Sequence, residues 1–227
     1  MINRFFITGT DTSVGKTVVS YALLQALAAH GKRVAGYKPV AKGCKETPDG
    51  LRSKDALILQ HASSLALPYE TVNPIALSEN ESSVAHSCPI NYSLLSDGLA
   101  ALSQQVDHVV VEGTGGWRSL MNDLRPLSEW VVQERLPVLM VVGIQDGCIN
   151  HALLTAQAIA NDGLPLIGWV ANRINPGLAH YAEIIHVLSK KLPAPCVGEL
   201  PYLPRAEERE LSQYIDLSLL DSMLTVD

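Results

Sequence analysis

The sequence lacks the features that mark several common functional classes. It has no block of five or more lysines and arginines, and its formal net charge is −6. Binding to a nucleic acid or to an anionic membrane usually relies on such a basic surface, so we expect neither partner. No apolar run approaches the roughly 18 residues that a membrane span requires. Gly9 and Asp11 fall where a signal peptide would still be apolar, which predicts a cytoplasmic protein. Any phosphate site must therefore be formed by a few residues and not by a general basic surface.

Metal-ligating and disulfide patterns are also missing. The chain has four widely spaced cysteines with no Cys-x-x-Cys pair, which are Cys44, Cys88, Cys148 and Cys196. None of the histidines has the spacing of two ligands on one helix face. We expect reduced, structural cysteines and no transition metal.

Short apolar runs alternate with segments of helical period. The runs cover residues 4–8, 33–37, 108–112, 137–143, 166–171 and 196–199, and the helical segments cover residues 16–29, 91–105, 149–161 and 178–192. Strands that are apolar on both faces and alternate with helices indicate a buried, mostly parallel sheet with helices on both faces. We predict a doubly wound α/β fold forming one domain over residues 1–227, in which residues 41–90 are irregular apart from a short helix at 55–63.

A phosphate-binding loop follows the first strand, in Gly9-Thr-Asp-Thr-Ser-Val-Gly-Lys-Thr17. Small residues let backbone N–H groups surround phosphates, Lys16 reaches the β and γ oxygens, and Thr17 offers a hydroxyl to Mg²⁺. The alternative is an ordinary strand-to-helix turn, but the strand and helix on either side favour a fold of the P-loop NTPase type. The predicted nucleotide contacts here are Ser13, Val14, Gly15, Lys16, Thr17 and Val18.

Charged residues follow two further strands. Glu112 ends the third run and is followed by a glycine loop with Gly113, Thr114 and Gly115, the position of an acid that orients Mg²⁺. Lys38 ends the second run, where an ammonium could stabilise a transferring phosphoryl group. Most lysines are simply solvated, so Lys38 alone is weak evidence.

Three other positions keep two interpretations each. Asp55 opens a short helix and could simply be its N-cap. Asn172 could read a purine base or form a turn. The segment 147–150 opens a helix that could bind a carboxylate, or Asn150 could cap it.

Together these residues make the chain resemble the dethiobiotin synthetase family over essentially its whole length. The resemblance rests on the phosphate loop, Gly36-Tyr-Lys-Pro39, Asp55, Val111-Glu-Gly-x-Gly-Gly-Trp117, Gly147-Cys-Ile-Asn-His151, Val170-Ala-Asn172 and Gly198-Glu-Leu-Pro-Tyr-Leu203. It implies an ATP- and Mg²⁺-dependent homodimer that closes the ureido ring of 7,8-diaminopelargonic acid with CO₂. An amine forms a carbamate, the γ-phosphate activates it as a carbamic-phosphoric anhydride, and the second amine expels phosphate.

The resemblance also implies a role for each matching residue. Lys16 and Lys38 are catalytic and stabilise charge on the phosphates and the carbamate. Thr17, Asp55 and Glu112 serve Mg²⁺. The remaining implied nucleotide contacts are Asn172, Arg173, Pro201, Tyr202 and Leu203, and the implied contacts of the substrate carboxylate across the dimer interface are Gly147, Cys148 and Asn150.

The chain departs from the family's pattern at four positions. Ser13 replaces a frequent Glu, Lys42 replaces a small hydroxyl residue, and Thr114 and Arg118 alter the glycine-loop context. We predict that Lys42 lies at the substrate site, where it would disfavour a cationic diamine, since like charges at about 4 Å cost at most about 4 kcal/mol at an effective dielectric of about 20. Weaker diamine turnover, or a different amine substrate, is therefore an alternative.

A second alternative is an ATPase switch like the septum-positioning and plasmid-partition proteins. Those proteins carry an extra lysine just after the first glycine of the loop, where this chain has Thr10. Its tail, residues 215–227, contains three acids and no base, which anionic lipid would repel.

Overall fold

A computed structural model describes residues 4–82 and 89–224. Six parallel strands form the main sheet in the order β2-β6-β1-β7-β8-β9. They are β1 (Arg4–Gly9), β2 (Val34–Tyr37), β6 (His108–Gly116), β7 (Val138–Gly143), β8 (Leu166–Asn172) and β9 (Cys196–Leu200). The six predicted runs thus form one parallel sheet, which confirms the predicted fold class.

Helices cover both faces of this sheet. They are α1 (Lys16–Ala29), α2 (Lys54–Ala62), α3 (Tyr69–Val72), α4 (Tyr92–Ser103), α5 (Leu127–Gln133), α6 (Cys148–Asn161), α7 (Tyr181–Lys191) and α8 (Leu217–Leu224). Along β7, Leu139 and Val141 belong to the larger core cluster, which includes the buried face of α1. Met140 and Val142 belong to a second cluster beneath α6 and α7. Alternate residues of a strand point to opposite faces, so β7 is packed on both sides.

The long segment after β2 contains a second sheet that the sequence pattern did not predict. Its strands β3 (Val40–Thr47), β4 (Gly50–Arg52) and β5 (Ile75–Ser78) are arranged in the order β4-β3-β5. The register of β3 against β5 shifts between Ala41 and Cys44, where Gly43 has a φ of 66°. This bulge and the exposure of the outer half of β3 remove the regular alternation by which a strand is recognised.

The helix starts exclude the N-cap interpretations of Asp55 and Asn150. Ser53, whose hydroxyl accepts from the Ala56 N–H, caps α2, so Asp55 lies in the first turn and is not the cap. Gly147, with a φ of 81°, precedes α6, so Asn150 lies inside that helix.

The cysteines that the structure describes, Cys44, Cys148 and Cys196, are free thiols, as expected. Cys88 and the last three residues of the acidic tail lie outside the described residues. Among the described residues, no helix has the length and apolar character needed to span a membrane.

Gly36 sets the distance between β2 and α2. A Cβ at Gly36 would lie 2.6 Å from the Leu59 Cβ and 3.2 Å from the Leu59 Cα. These two elements carry Lys38 and Asp55 to the same place, so their close packing positions both side chains.

We expect Gly36→Ala to lower the free energy of unfolding by about 1 to 3 kcal/mol, because overpacking must push α2 away from the sheet. Urea denaturation measures the effect. Gly177→Ala is the matched control, since its Cβ would meet nothing closer than 3.7 Å. Equal stabilities of the two variants would contradict this account of the packing.

Candidate active site

A cavity of about 680 Å³ opens at the carboxyl ends of the central strands. Its lining residues are Thr12, Ser13, Gly15, Lys16, Thr17, Lys38, Lys42, Asp55, Thr114, Gly115, Ser119 and Leu120. Nine of them were predicted from the sequence. Thr12 lies inside the phosphate-loop motif and could have been included. Ser119 and Leu120 lie in an irregular segment with no sequence signal.

The phosphate loop presents its backbone to this cavity. Ser13 and Gly15 have φ values of 61° and 90°, and α1 begins immediately afterwards at Lys16. Left-handed residues before a helix N-terminus turn successive N–H groups toward one point, which forms an anion-binding concavity. Val14 is buried and anchors the loop, whereas Val18 packs partly buried against the core.

Asn172 holds the loop in place from the end of β8. Its Nδ2 donates to the Val14 carbonyl at 2.9 Å. A Cβ at Gly15 would lie 2.0 Å from this nitrogen, so the motif's glycine is required here. Sequence reasoning did not predict this supporting contact.

Lys16 lies over the loop with little exposed surface. Its Nζ donates to the Asp11 carbonyl at 3.2 Å. Burial, and secondly repulsion from Lys38, lower the pKa of Lys16 to about 8. Phosphate oxygens nearby would favour the charged form of this lysine again.

Lys38 is the centre of a buried ion-pair cluster. Its Nζ donates to Glu112 Oε1 at 2.7 Å, to the Gly113 carbonyl at 3.0 Å and to Asp55 Oδ2 at 3.2 Å. Thr17 Oγ1 donates to the same Glu112 oxygen at 2.9 Å. The cluster connects α1, α2, the residue that follows β2 and the middle of β6.

The two carboxylates of this cluster differ in exposure. The Glu112 side chain is fully buried, and its Oε2 has no hydrogen-bond partner among the described residues. The Asp55 side chain is 46% exposed and borders the cavity. Burial opposes ionisation of Asp55, but the Lys38 ammonium outweighs it and holds the pKa of Asp55 below its ordinary value. Burial likewise opposes charge on Lys38, but Glu112 and Asp55 raise the pKa of Lys38 above its ordinary value.

The predicted glycine loop, residues 113–115, lies inside the last part of β6, and several contacts fix this part of the strand and the loop that follows it. The Thr114 hydroxyl donates to the Val40 carbonyl of β3. Arg118 forms two hydrogen bonds with Asp162 at 2.7 and 2.8 Å, and Trp117 Nε1 donates to the same carboxylate at 2.7 Å. Two of the departures from the family pattern, Thr114 and Arg118, therefore form contacts that hold this loop.

Asn172, Arg173 and the segment 201–203, the other predicted nucleotide contacts, do not line the cavity, and of these only Asn172 bonds to the phosphate loop. The Arg173 N–H donates to the Leu200 carbonyl at 2.9 Å, which joins the end of β8 to the segment 201–203. The Arg173 guanidinium donates to the Pro176 carbonyl and lies over the Tyr181 ring. In the segment, Pro201 and Leu203 are partly buried and Tyr202 is exposed.

The predicted substrate contacts divide into two groups. Lys42 lines the cavity. Gly147 and Asn150 lie exposed at the start of α6, outside the cavity lining, and the Cys148 side chain is buried in the core. The Cys148 N–H donates to the Gln145 carbonyl.

The parallel sheet with a phosphate loop after its first strand defines the class of P-loop nucleotide-binding proteins. A family model described as an AAA domain matches residues 3–210, and the chain belongs to that family.

Two solved structures share the fold at low sequence identity. The MinC:MinD cell division protein complex of Aquifex aeolicus gives a TM-score of 0.63 at 16% identity, with 100% of this chain and 98% of that chain covered. A ParA family ATPase of Chlorobium tepidum TLS gives a TM-score of 0.58 at 15% identity, with 99% of this chain and 100% of that chain covered.

Full-length relatives narrow the class to one family. The chain is 84% identical to ATP-dependent dethiobiotin synthetase BioD 2 of Salmonella typhi, with 100% of this chain and 98% of the relative covered. It is 83% identical to the protein of the same name in Escherichia coli strain K12, with the same coverage. It is 52% identical to ATP-dependent dethiobiotin synthetase BioD of Vibrio parahaemolyticus, with both chains fully covered. The chain therefore belongs to the ATP-dependent dethiobiotin synthetases, which are cyclo-ligases.

We expect Lys38→Met to lower the free energy of unfolding by about 3 to 5 kcal/mol, because Glu112 would be buried without a counter-charge. The double variant Lys38→Met/Glu112→Gln should recover part of this loss, since no fully buried charge remains unpaired and Asp55 is 46% exposed. Urea denaturation of both variants measures the coupling. The surface variant Lys45→Met serves as the control and should stay within about 0.5 kcal/mol of the wild type. A double variant no more stable than Lys38→Met would contradict the ion-pair account.

Proposed function

We propose that this protein carboxylates 7,8-diaminopelargonic acid with CO₂ and closes the ureido ring at the expense of ATP. The observation that carries the proposal is the convergence of Lys16, Thr17, Lys38 and Asp55 on one cavity directly above the buried Glu112. Such a set offers cations for phosphate and carbamate and oxygen ligands for a hard cation.

ATP would lie with its phosphates in the backbone concavity of residues 13–17. Lys16 neutralises the β and γ oxygens, and the helix N-terminus adds its dipole. Asn172, Arg173 and the segment 201–203 would contact the base, since Asn172 supports the loop and its neighbour Arg173 bonds to Leu200, the residue before the segment. Gly113 and Thr114 would complete the nucleotide site from β6, where Gly113 accepts a hydrogen bond from Lys38 and Thr114 donates one to Val40.

The residues around Glu112 fit a magnesium ion. The unpartnered Glu112 Oε2, the half-exposed Asp55 and the Thr17 hydroxyl form an all-oxygen donor set, which Mg²⁺ prefers. With phosphates and water, these ligands would complete its coordination. Bound there, Mg²⁺ would neutralise phosphate charge.

Lys38 would act in the chemical step. Its ammonium makes three hydrogen bonds, of which the one to the half-exposed Asp55 borders the cavity. We infer that Lys38 exchanges this partner for the carbamate or the γ-phosphate. Its positive charge then stabilises the anion that develops when the carbamate oxygen attacks phosphorus and, later, when the second amine expels phosphate.

A homodimer would complete the substrate site. Gly147 and Asn150 are exposed at the start of α6, and the same helix exposes Leu153 and Leu154, 36% and 58% respectively. Exposed apolar residues beside a helix start support contact with a second copy, whose substrate carboxylate these residues would bind. We also propose that the chain forms one domain and works in the cytoplasm, where ATP is available.

Two other functions remain as alternatives to be tested. An ATPase switch of the partition or septum-positioning type shares the fold, and a synthetase for a different amine would share the site. Lys42 in the cavity wall is the observation that favours the second alternative.

The function is tested by incubating the protein with Mg-ATP, labelled bicarbonate and 7,8-diaminopelargonate. We expect label in an acid-stable product, and we expect Lys16→Gln to abolish it because the phosphates lose their main cation. A wild-type protein that binds ATP but incorporates no label would refute the proposal. Label incorporated with another diamine alone would support the alternative substrate.

The metal assignment is tested by Mn²⁺ binding, measured by electron paramagnetic resonance with a non-hydrolysable ATP analogue. We expect Asp55→Asn to weaken Mn²⁺ binding about tenfold, because one charged oxygen ligand is lost. Glu46→Gln, on the exposed part of β3, is the control. Unchanged binding in Asp55→Asn would exclude Asp55 as a ligand.

A further inference from the structure

Lys42 brings a third ammonium group to the cavity. It lies on β3, partly buried, and its Nζ donates to the Leu120 carbonyl at 2.6 Å. Leu120 also lines the cavity. An ammonium has three donors, so this contact leaves two for a ligand.

The charge of Lys42 differs from that of Lys38 in having no paired acid. Lys38 forms ion pairs with Glu112 and Asp55, whereas no carboxylate of the described residues lies within ion-pair distance of Lys42. Asp123 acts on it only from further away. Lys42 therefore adds uncompensated positive charge to the wall of the cavity.

Carboxylation reverses the charge of the amine that reacts. A protonated amine carries +1, and its reaction with CO₂ forms an N–C bond, releases two protons and leaves a carbamate that carries −1. A fixed cation nearby therefore repels the free substrate and attracts the carboxylated one. A neutral side chain at the same place could not make this distinction.

We propose that Lys42 is a specificity-determining residue that selects the carbamate form of the substrate over the free diamine. The proposal rests on the proposed function and adds to it a residue that discriminates between two states of the same substrate. Lys42 thus favours a bound substrate that is already carboxylated when the γ-phosphate of ATP is transferred.

Two other roles must be separated from this one. Lys42 could only tether the Leu120 segment, in which case a neutral donor would suffice. It could instead contact the nucleotide phosphates. Lys42→Gln keeps a hydrogen-bond donor and removes the charge, whereas Lys42→Arg keeps the charge. Lys45→Gln removes a lysine charge from the exposed part of the same strand and is the matched control.

The experiment measures carbamate formation without ATP. Each protein is mixed with 7,8-diaminopelargonate and ¹³C-bicarbonate, and bound carbamate is followed by NMR. We expect Lys42→Gln to require at least tenfold more bicarbonate for half-saturation and to bind free diamine no more weakly than the wild type. Lys42→Arg and Lys45→Gln should stay within threefold, and Mg-ATP affinity should stay within twofold in every variant.

Three results would overturn the proposal. Wild-type carbamate formation in Lys42→Gln would leave Lys42 as a tether only. A loss of Mg-ATP affinity without a loss of carbamate would assign it to the phosphates. A wild-type protein that gives neither bound carbamate nor labelled product would refute the proposed function as well, which distinguishes that failure from the first two.

Discussion

The buried interaction between Lys38 and Glu112 is the constraint on which the site depends. A fully buried carboxylate is stable in its charged form only with a counter-charge and hydrogen bonds, and Glu112 receives both from Lys38 and Thr17. Because these residues come from β2, β6 and α1, the pair fixes three elements relative to one another. Asp55 pairs with the same Lys38 ammonium, and Gly36 lets α2, which carries Asp55, pack closely against β2. The atoms that hold these elements together are therefore the ones to which we assign the proposed chemistry.

Much of the main sheet and the centre of the site were predictable from the sequence. Strands buried on both faces are continuous apolar runs, so all six were visible, and the start of α1 follows from the glycine and lysine of the phosphate loop. Residues at strand ends had to meet, since parallel strands place their carboxyl ends at one edge. Lys38 and Glu112 are neighbours because β2 pairs with β6 in parallel and Tyr37 lies opposite Val111, although neither position alone was strong evidence.

Other features depend on contacts that no local pattern encodes. The second sheet was not predicted because Gly43 interrupts the alternation of β3 and the outer half of this strand is mostly exposed. Asp162 follows the last residue of α6, yet its carboxylate accepts hydrogen bonds from both Trp117 and Arg118. The contact between Asn172 and Val14 joins residues distant in sequence, and it gives a supporting role to an amide whose predicted partner is the base.

Coupling of ATP hydrolysis to ring closure is the property that tests the assigned function at its centre. We expect ADP to form only when diamine and bicarbonate are both present, with one ADP for each dethiobiotin. ATP can form a carbamic-phosphoric anhydride only when the diamine and bicarbonate are both bound. ADP formation that proceeds without the diamine, and that a protein partner or lipid stimulates instead, would contradict the account and favour a switch ATPase.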